Sequence, residues 1–247
     1  MIKLLILLLS GLKFGKLLST GGTMLLSVLA YSWIYGWRYA LGFMLLLFAH
    51  EMGHFFAARQ RGLNAGLPTF IPFVGAWVEL KDLPHNAETE AYVGLAGPLV
   101  GTICATLVYF LARNEDSSLL LAIAYSGFFL NLFNLIPILP FDGGRITAVL
   151  SPKIWLLGVP VLAAMLWMRP SPILILVIIL AIPSVIKAWH YNPDSEENRH
   201  YYNISREVRI SYAFYYLVLL AFLAVMTNDV HEMLISLRGK NSVGLTN

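Results

Sequence analysis

Charge is scarce in this chain: 13 % of its 247 residues are Asp, Glu, Lys or Arg and 58 % are hydrophobic, where a globular domain carries about 25 % charge. That shortage excludes an ordinary soluble domain and reads as a polytopic membrane protein. Cysteine is scarcer still. The single Cys104 excludes an intrachain disulfide and the usual thiolate clusters, so any metal site must draw on His and carboxylate. The formal net charge is only +3, with Lys and Arg scattered at segment ends. This fits juxtamembrane anchors and excludes a nucleic-acid partner. A half-to-half repeat and a second His-rich segment are also missing, which counts against a transporter. Residues 1–9 lack an A-x-A cleavage site, and Lys13 and Lys16 lie on the wrong side for a signal peptide, so this stretch is expected to be retained at the interface.

What the chain has in quantity is long apolar sequence. Runs bounded by charge, Gly or Pro cover residues 17–36, 39–58, 91–112, 119–138, 154–168, 173–187 and 211–227. They predict an all-α polytopic membrane protein of about six or seven spans, in a single integral membrane domain over 1–247. The fifth and sixth runs are the weak pair, because Arg169-Pro170-Ser171-Pro172 separates two short segments. Residues 64–87 are semi-apolar and rich in turn residues. They read either as a re-entrant loop or small β-hairpin, or as a loop lying on the headgroups. Residues 191–209 read as an exposed membrane-edge loop. Lys3, Lys13 and Lys16 before the first run, with Arg59 and Arg61 after the second, put the exit of the second span on the cytosolic side; Arg38 and Arg113 oppose this.

Inside the second run stands His50-Glu51-Met52-Gly53-His54. A helix carries residues i and i+4 on one face, so both imidazoles can bind one Zn²⁺ while Glu51 reaches a water at the metal. Ionisable groups at membrane depth are costly and are functional by default. The plainer alternative is a pair of histidines hydrogen-bonded between packed helices.

A hydrolytic zinc takes three protein ligands and leaves a position for water, so a third donor must come from elsewhere. Asp82, Asp116, Asp194 and Asp229 lie in polar or terminal stretches, whereas Asp142 directly follows an apolar span in Asn134-Leu135-Ile136-Pro137-Ile138-Leu139-Pro140-Phe141-Asp142-Gly143-Gly144-Arg145. The prolines stop the helix and the glycines allow a sharp turn. Taken alone, Asp142 could simply cap the next helix. Glu79 and Glu90 are rival third ligands with poorer context. Between the motifs, Gly97-Pro98-Leu99-Val100-Gly101 offers a small-residue face for close helix packing.

With both motifs in view, the chain resembles the site-2 protease family of intramembrane zinc metalloproteases. That family's signature pairs H-E-x-x-H in one transmembrane helix with N-x-x-P-x-x-P-x-D-G at the end of a later one. The resemblance covers residues 43–145 and implies a catalytic core at 39–145, with additional membrane helices and a tail at 146–247. It implies that His50, His54 and Asp142 bind Zn²⁺, that Glu51 is the catalytic base, and that Asn134 lies near the substrate. The residues themselves offer Asn134 or Asn131, one turn earlier, as hydrogen-bond partners for an unwound substrate backbone. Leu139 and Phe141 depart from the common Pro and Leu, and Gly101 from the Asn of some members. No PDZ module fits between the motifs.

The implied activity is hydrolysis of a peptide bond within or near a transmembrane segment of a membrane protein substrate, as in regulated intramembrane proteolysis, with Glu51 assisting the attack of a metal-bound water. The surroundings would be the lipid bilayer, with the site in the cytosolic half. A membrane metal transporter or a catalytically inactive zinc-binding protein is the alternative.

Overall fold

A computed structural model describes residues 20–73 and 75–243, with side chains to residue 237. The expected interfacial start, 1–9, and Lys3, Lys13 and Lys16 lie outside the described residues. Helices dominate: α1 (Thr20–Tyr35), α2 (Trp37–Gln60), α3 (Ala87–Asn114), α4 (Ser118–Asn134), α5 (Asp142–Ala148), α6 (Gly158–Met168), α7 (Pro172–Trp189), α8 (Glu196–Tyr201) and α9 (Arg206–Val243). A two-stranded sheet, β1 (Thr69–Ile71) and β2 (Gly75–Trp77), stands between α2 and α3.

Local chemistry sets the boundaries. Gly36, at φ 82°, breaks α1 from α2, and Gly62, at φ 76°, ends α2 in a conformation that L side chains resist. Asn86 caps α3 by accepting a 2.8 Å bond from the Thr89 amide, while Glu88 and Glu90 in its first turn complement the helix dipole. Ser117 caps α4 in the same way.

Helix α2 packs against both α3 and α4, which pack on each other, and this trio forms the centre of the molecule. Small residues let them close up. A Cβ on Gly53 would run into the Ala96–Gly97 backbone of α3, and one on Gly127 into Leu46 and Ala105. Helix α9 covers α4 through a core that includes Phe128 and Leu223. A second cluster around Trp155, Ile138 and Leu174 joins the segment after α4 to α6 and α7.

Among the described residues, four helices are long and apolar enough to cross a membrane: α2, α3, α7 and residues 206–237 of α9. Their outward faces carry Leu107, Phe110, Ile179, Leu217 and Val225 in exposed positions, the arrangement expected of lipid-facing surfaces. The six or seven spans expected would draw on shorter apolar helices as well: α4, 17 residues long, ends where the prolines at 137 and 140 forbid its continuation. Residues 154–168 divide into a 3₁₀ turn, Pro152–Leu157, and the 11-residue α6. That helix rises about 17 Å, too little to cross alone.

Residues 64–87 contain a β-hairpin. β1 pairs antiparallel with β2, Thr69 opposite Trp77 and Ile71 opposite Gly75. Phe70 plugs the hairpin into α2 beside Met44 and Leu47, and α1 grips β1, with Thr20 Oγ1 donating to the Pro68 carbonyl at 2.6 Å. β2 is thereby laid against α2. Residues 191–209 are mostly exposed, as expected, but contain the short helix α8 and are tied down at two points: Tyr202 is buried, and Arg209 donates to the carbonyls of Leu150, Tyr202 and Ile204.

Candidate metal centre

On α2, His50, Glu51 and His54 are 2 %, 5 % and 5 % exposed. Each imidazole is held through Nδ1. His50 Nδ1 donates to Asn131 Oδ1 at 2.8 Å, and His54 Nδ1 donates to the Val93 carbonyl at 2.7 Å. The direction follows from the partners: a carbonyl can only accept, and the Asn131 amide nitrogen is turned to the Gly127 carbonyl at 2.7 Å. With both Nδ1 atoms protonated, a neutral imidazole presents a bare lone pair at Nε2.

Those two lone pairs face one another. The Nε2 atoms are 3.1 Å apart, and each lies 3.2 Å from Asp142 Oδ2. Three acceptor atoms this close and this buried repel unless a positive centre lies among them. Ligands about 2.0–2.1 Å from a tetrahedral metal stand roughly 3.3 Å from each other, so the triangle has the dimensions of one tetrahedral face. The donor set therefore fits a single divalent ion of the zinc type, with one ligand atom each from His50, His54 and Asp142 within 4.8 Å of one another. Neither Glu79 nor Glu90 joins them; Glu90 instead accepts from Tyr201 Oη at 2.6 Å.

Asp142 reaches the triangle because the chain unwinds between α4 and α5. A Cβ at Gly143 would overlap the backbone of Leu135 and Ile136, and one at Gly144 the backbone of Ile138 and Leu139, so only glycine permits this fold-back. The Leu135 carbonyl freed there accepts from Tyr216 Oη of α9 at 2.7 Å, and Trp155 Nε1 donates to the Gly144 carbonyl in the first turn of α5 at 2.8 Å. The Gly97 and Gly101 face has a specific use: a Cβ at Gly97 would strike the His54 imidazole, and one at Gly101 the Asn131 amide.

Glu51 stands beside the triangle at the meeting of two cavities. One, of about 110 Å³, is lined by His50, Glu51, His54, Asn134, Asp142 and Arg145, with part of the hairpin. The other, of about 510 Å³, runs from Glu51 and Asn134 between Tyr31, Phe43, Phe129 and Phe133. Asn134 donates to the Leu130 carbonyl at 3.1 Å and lines both spaces. Asn131 corrects an expectation. It is fully buried and engaged by His50 and Gly127, so it orients the imidazole and has no surface left for a substrate backbone. Sequence reasoning also missed the Val93 carbonyl, Trp155 and Tyr216. A backbone acceptor leaves no mark in side-chain pattern, and the two aromatics read as ordinary core residues.

Fold and site together define a helical protein, rich in membrane-length helices, whose His-Glu-x-x-His helix meets an aspartate from a later turn in a buried three-donor centre. Residues 38–116 match Peptidase family M50, the site-2 protease family that the two motifs resemble. The match takes in the first motif; the second lies beyond it. A zinc metalloprotease of Methanocaldococcus jannaschii is 33 % identical over 110 residues, which cover 42 % of this chain and 32 % of that one. A second M. jannaschii protein named as a zinc metalloprotease is 37 % identical over 87 residues, covering 33 % and 45 %. A chloroplast protein of Arabidopsis thaliana, also named as a zinc metalloprotease, is 30 % identical over 88 residues, covering 32 % and 16 %. The aligned part of the chain thus spans less than half the length of each of these relatives.

Proposed function

We propose that the chain is a zinc-dependent intramembrane endopeptidase that hydrolyses a peptide bond within or beside a transmembrane segment of a membrane protein. The observation that carries this reading is the buried triangle of His50 Nε2, His54 Nε2 and Asp142 Oδ2, its sides 3.1–3.2 Å, with both Nδ1 protons already committed. Zinc, when bound, supplies a Lewis acid that polarises a carbonyl and acidifies water.

The protein supplies the rest. Asn131 and the Val93 carbonyl hold the imidazoles in the ligating tautomer and orientation. Glu51 faces the small cavity and accepts a proton from water there. It returns that proton to the amide nitrogen as the C–N bond breaks, while the hydroxyl goes to the carbonyl carbon. A helical substrate hides its amides in i to i−4 bonds, so it must unwind before its carbonyl can enter. The aromatic 510 Å³ cavity that reaches Glu51 and Asn134 is the space for that segment, and the Asn134 side chain, at its inner end, is the partner for freed backbone groups. Arg59 and Arg61 follow the two histidines by about two turns, which supports a cytosolic half for the site.

The test is cleavage of single-span membrane substrates by purified protein and its Glu51→Gln variant. Glu51→Gln is expected to keep zinc and lose cleavage, a deficit of at least about 10²-fold. Cleavage by Glu51→Gln at the unmodified rate would remove Glu51 from its role as base.

A further inference from the structure

Arg145 follows Asp142 by three residues on α5, so the two side chains leave neighbouring faces of the same turn. It is half-buried, yet among the described residues it makes neither a hydrogen bond nor an ion pair. Other arginines are engaged: Arg61 pairs with Glu88 at 3.5 Å, and Arg209 is spent on backbone carbonyls. Its position beside α3 depends on Gly94, where a Cβ would lie 2.9 Å from the Arg145 side chain.

Arg145 also separates two spaces. It lines the 110 Å³ cavity of the donor triangle and a neighbouring chamber of about 300 Å³, which also includes Asp82 and Glu90. Val78, Leu80 and Val93 border both spaces. The chamber's own carboxylates have partners: Asp82 Oδ2 accepts from the Asn64 backbone and side-chain nitrogens at 3.0 and 2.8 Å, and Glu90 accepts from Tyr201. What remains is a planar guanidinium with five donors and no acceptor, walled in beside the place where a peptide would be cut. The geometry of that fork matches a carboxylate.

We propose that Arg145 is the anchor of a carboxylate-binding subsite at the mouth of the metal centre, and that its ligand is a peptide carboxylate. Two sources share that chemistry: the α-carboxylate that hydrolysis creates, and an acidic side chain next to the scissile bond. The proposal rests on the proteolytic reading of the site.

The test measures binding rather than turnover. Short fluorescent peptides are titrated against the full-length Glu51→Gln protein in detergent. One set ends in a free carboxylate, a second in an amide, and a third is amidated but carries Glu near its end, with Gln as its control. A preference of at least tenfold for the free carboxylate over the amide, or for Glu over Gln, is expected, and which of the two shows it identifies the source. Arg145→Gln should abolish the preference at unchanged zinc content, and Arg145→Lys should keep part of it, since a point charge lacks the fork. Arg145→Gln with an undiminished preference would overturn the proposal. So would equal binding of all peptides to the protein with Arg145 intact, a result that needs no variant to fold. Cleavage of membrane substrates by the unmodified protein is measured in parallel. Persistent cleavage without carboxylate preference defeats only the subsite, whereas absence of cleavage defeats the reading beneath it.

Discussion

Asn131 and Asn134 lie about one turn apart on α4 in different surroundings. Asn131 bonds His50 at 2.8 Å and is fully buried, while Asn134 lines both cavities at Glu51. Loss of a residue that orients a metal-binding His typically costs about 10- to 100-fold in metal affinity. Asn131→Ala should therefore weaken zinc binding by that factor in a chelator competition. Asn134→Ala should retain zinc at parent affinity and lose cleavage. A reversal of these two phenotypes would reverse the roles. At this scale the sequence was informative where chemistry is carried by residue type and spacing: His50, Glu51 and His54 by their interval, and Asp142 by its glycines and prolines. It was silent on which asparagine turns inward, because both occupy similar positions in an apolar helix and only the packing of Gly101 against Asn131 separates them.

The unwound segment between α4 and α5 is the element on which the site depends. Its path requires glycine at 143 and 144, since a side chain at either would overlap backbone. Gly144→Ala is predicted to lose zinc much as a ligand mutant does, though every donor is retained, and metal analysis of the purified protein checks this. The same segment leans on α9 through the Tyr216 hydroxyl and the Leu135 carbonyl. Tyr216→Phe leaves a buried carbonyl without its partner, at a cost of about 1–3 kcal/mol, visible as a lower unfolding temperature. The helix-breaking effect of Pro137 and Pro140 was legible in the sequence, and so was a hairpin as one reading of residues 64–87. The choice of hairpin over surface loop was not legible, because it is made by Phe70 seating between Met44 and Leu47 and by the grip of α1 on β1, contacts between segments far apart in sequence.

Across the whole molecule, α2, α3, α7 and α9 supply membrane-length helices, and the donor triangle sits within the α2, α3 and α4 core. The expected six or seven spans would draw on shorter apolar runs as well. Composition reports burial in either lipid or protein, and α4 and α6 are apolar without being long. The positive residues Arg59 and Arg61 after α2 predict that the loop carrying the hairpin faces the cytosol. In a Cys104→Ala background, His85→Cys should react with an impermeant thiol reagent only in inside-out vesicles, and Glu115→Cys only in right-side-out ones. Labelling with the opposite sidedness would invert the orientation and move the site to the other half of the membrane.

The central claim is that two imidazoles of one helix and a carboxylate from a distant turn hold one metal ion. Zinc content per chain, measured on protein purified without added chelator, tests it most directly when the unmodified protein is compared with Asp142→Ala and Glu79→Ala. The expected result is one zinc in the unmodified protein and in Glu79→Ala, and little or none in Asp142→Ala. One zinc retained at full affinity by a folded Asp142→Ala protein would contradict the account.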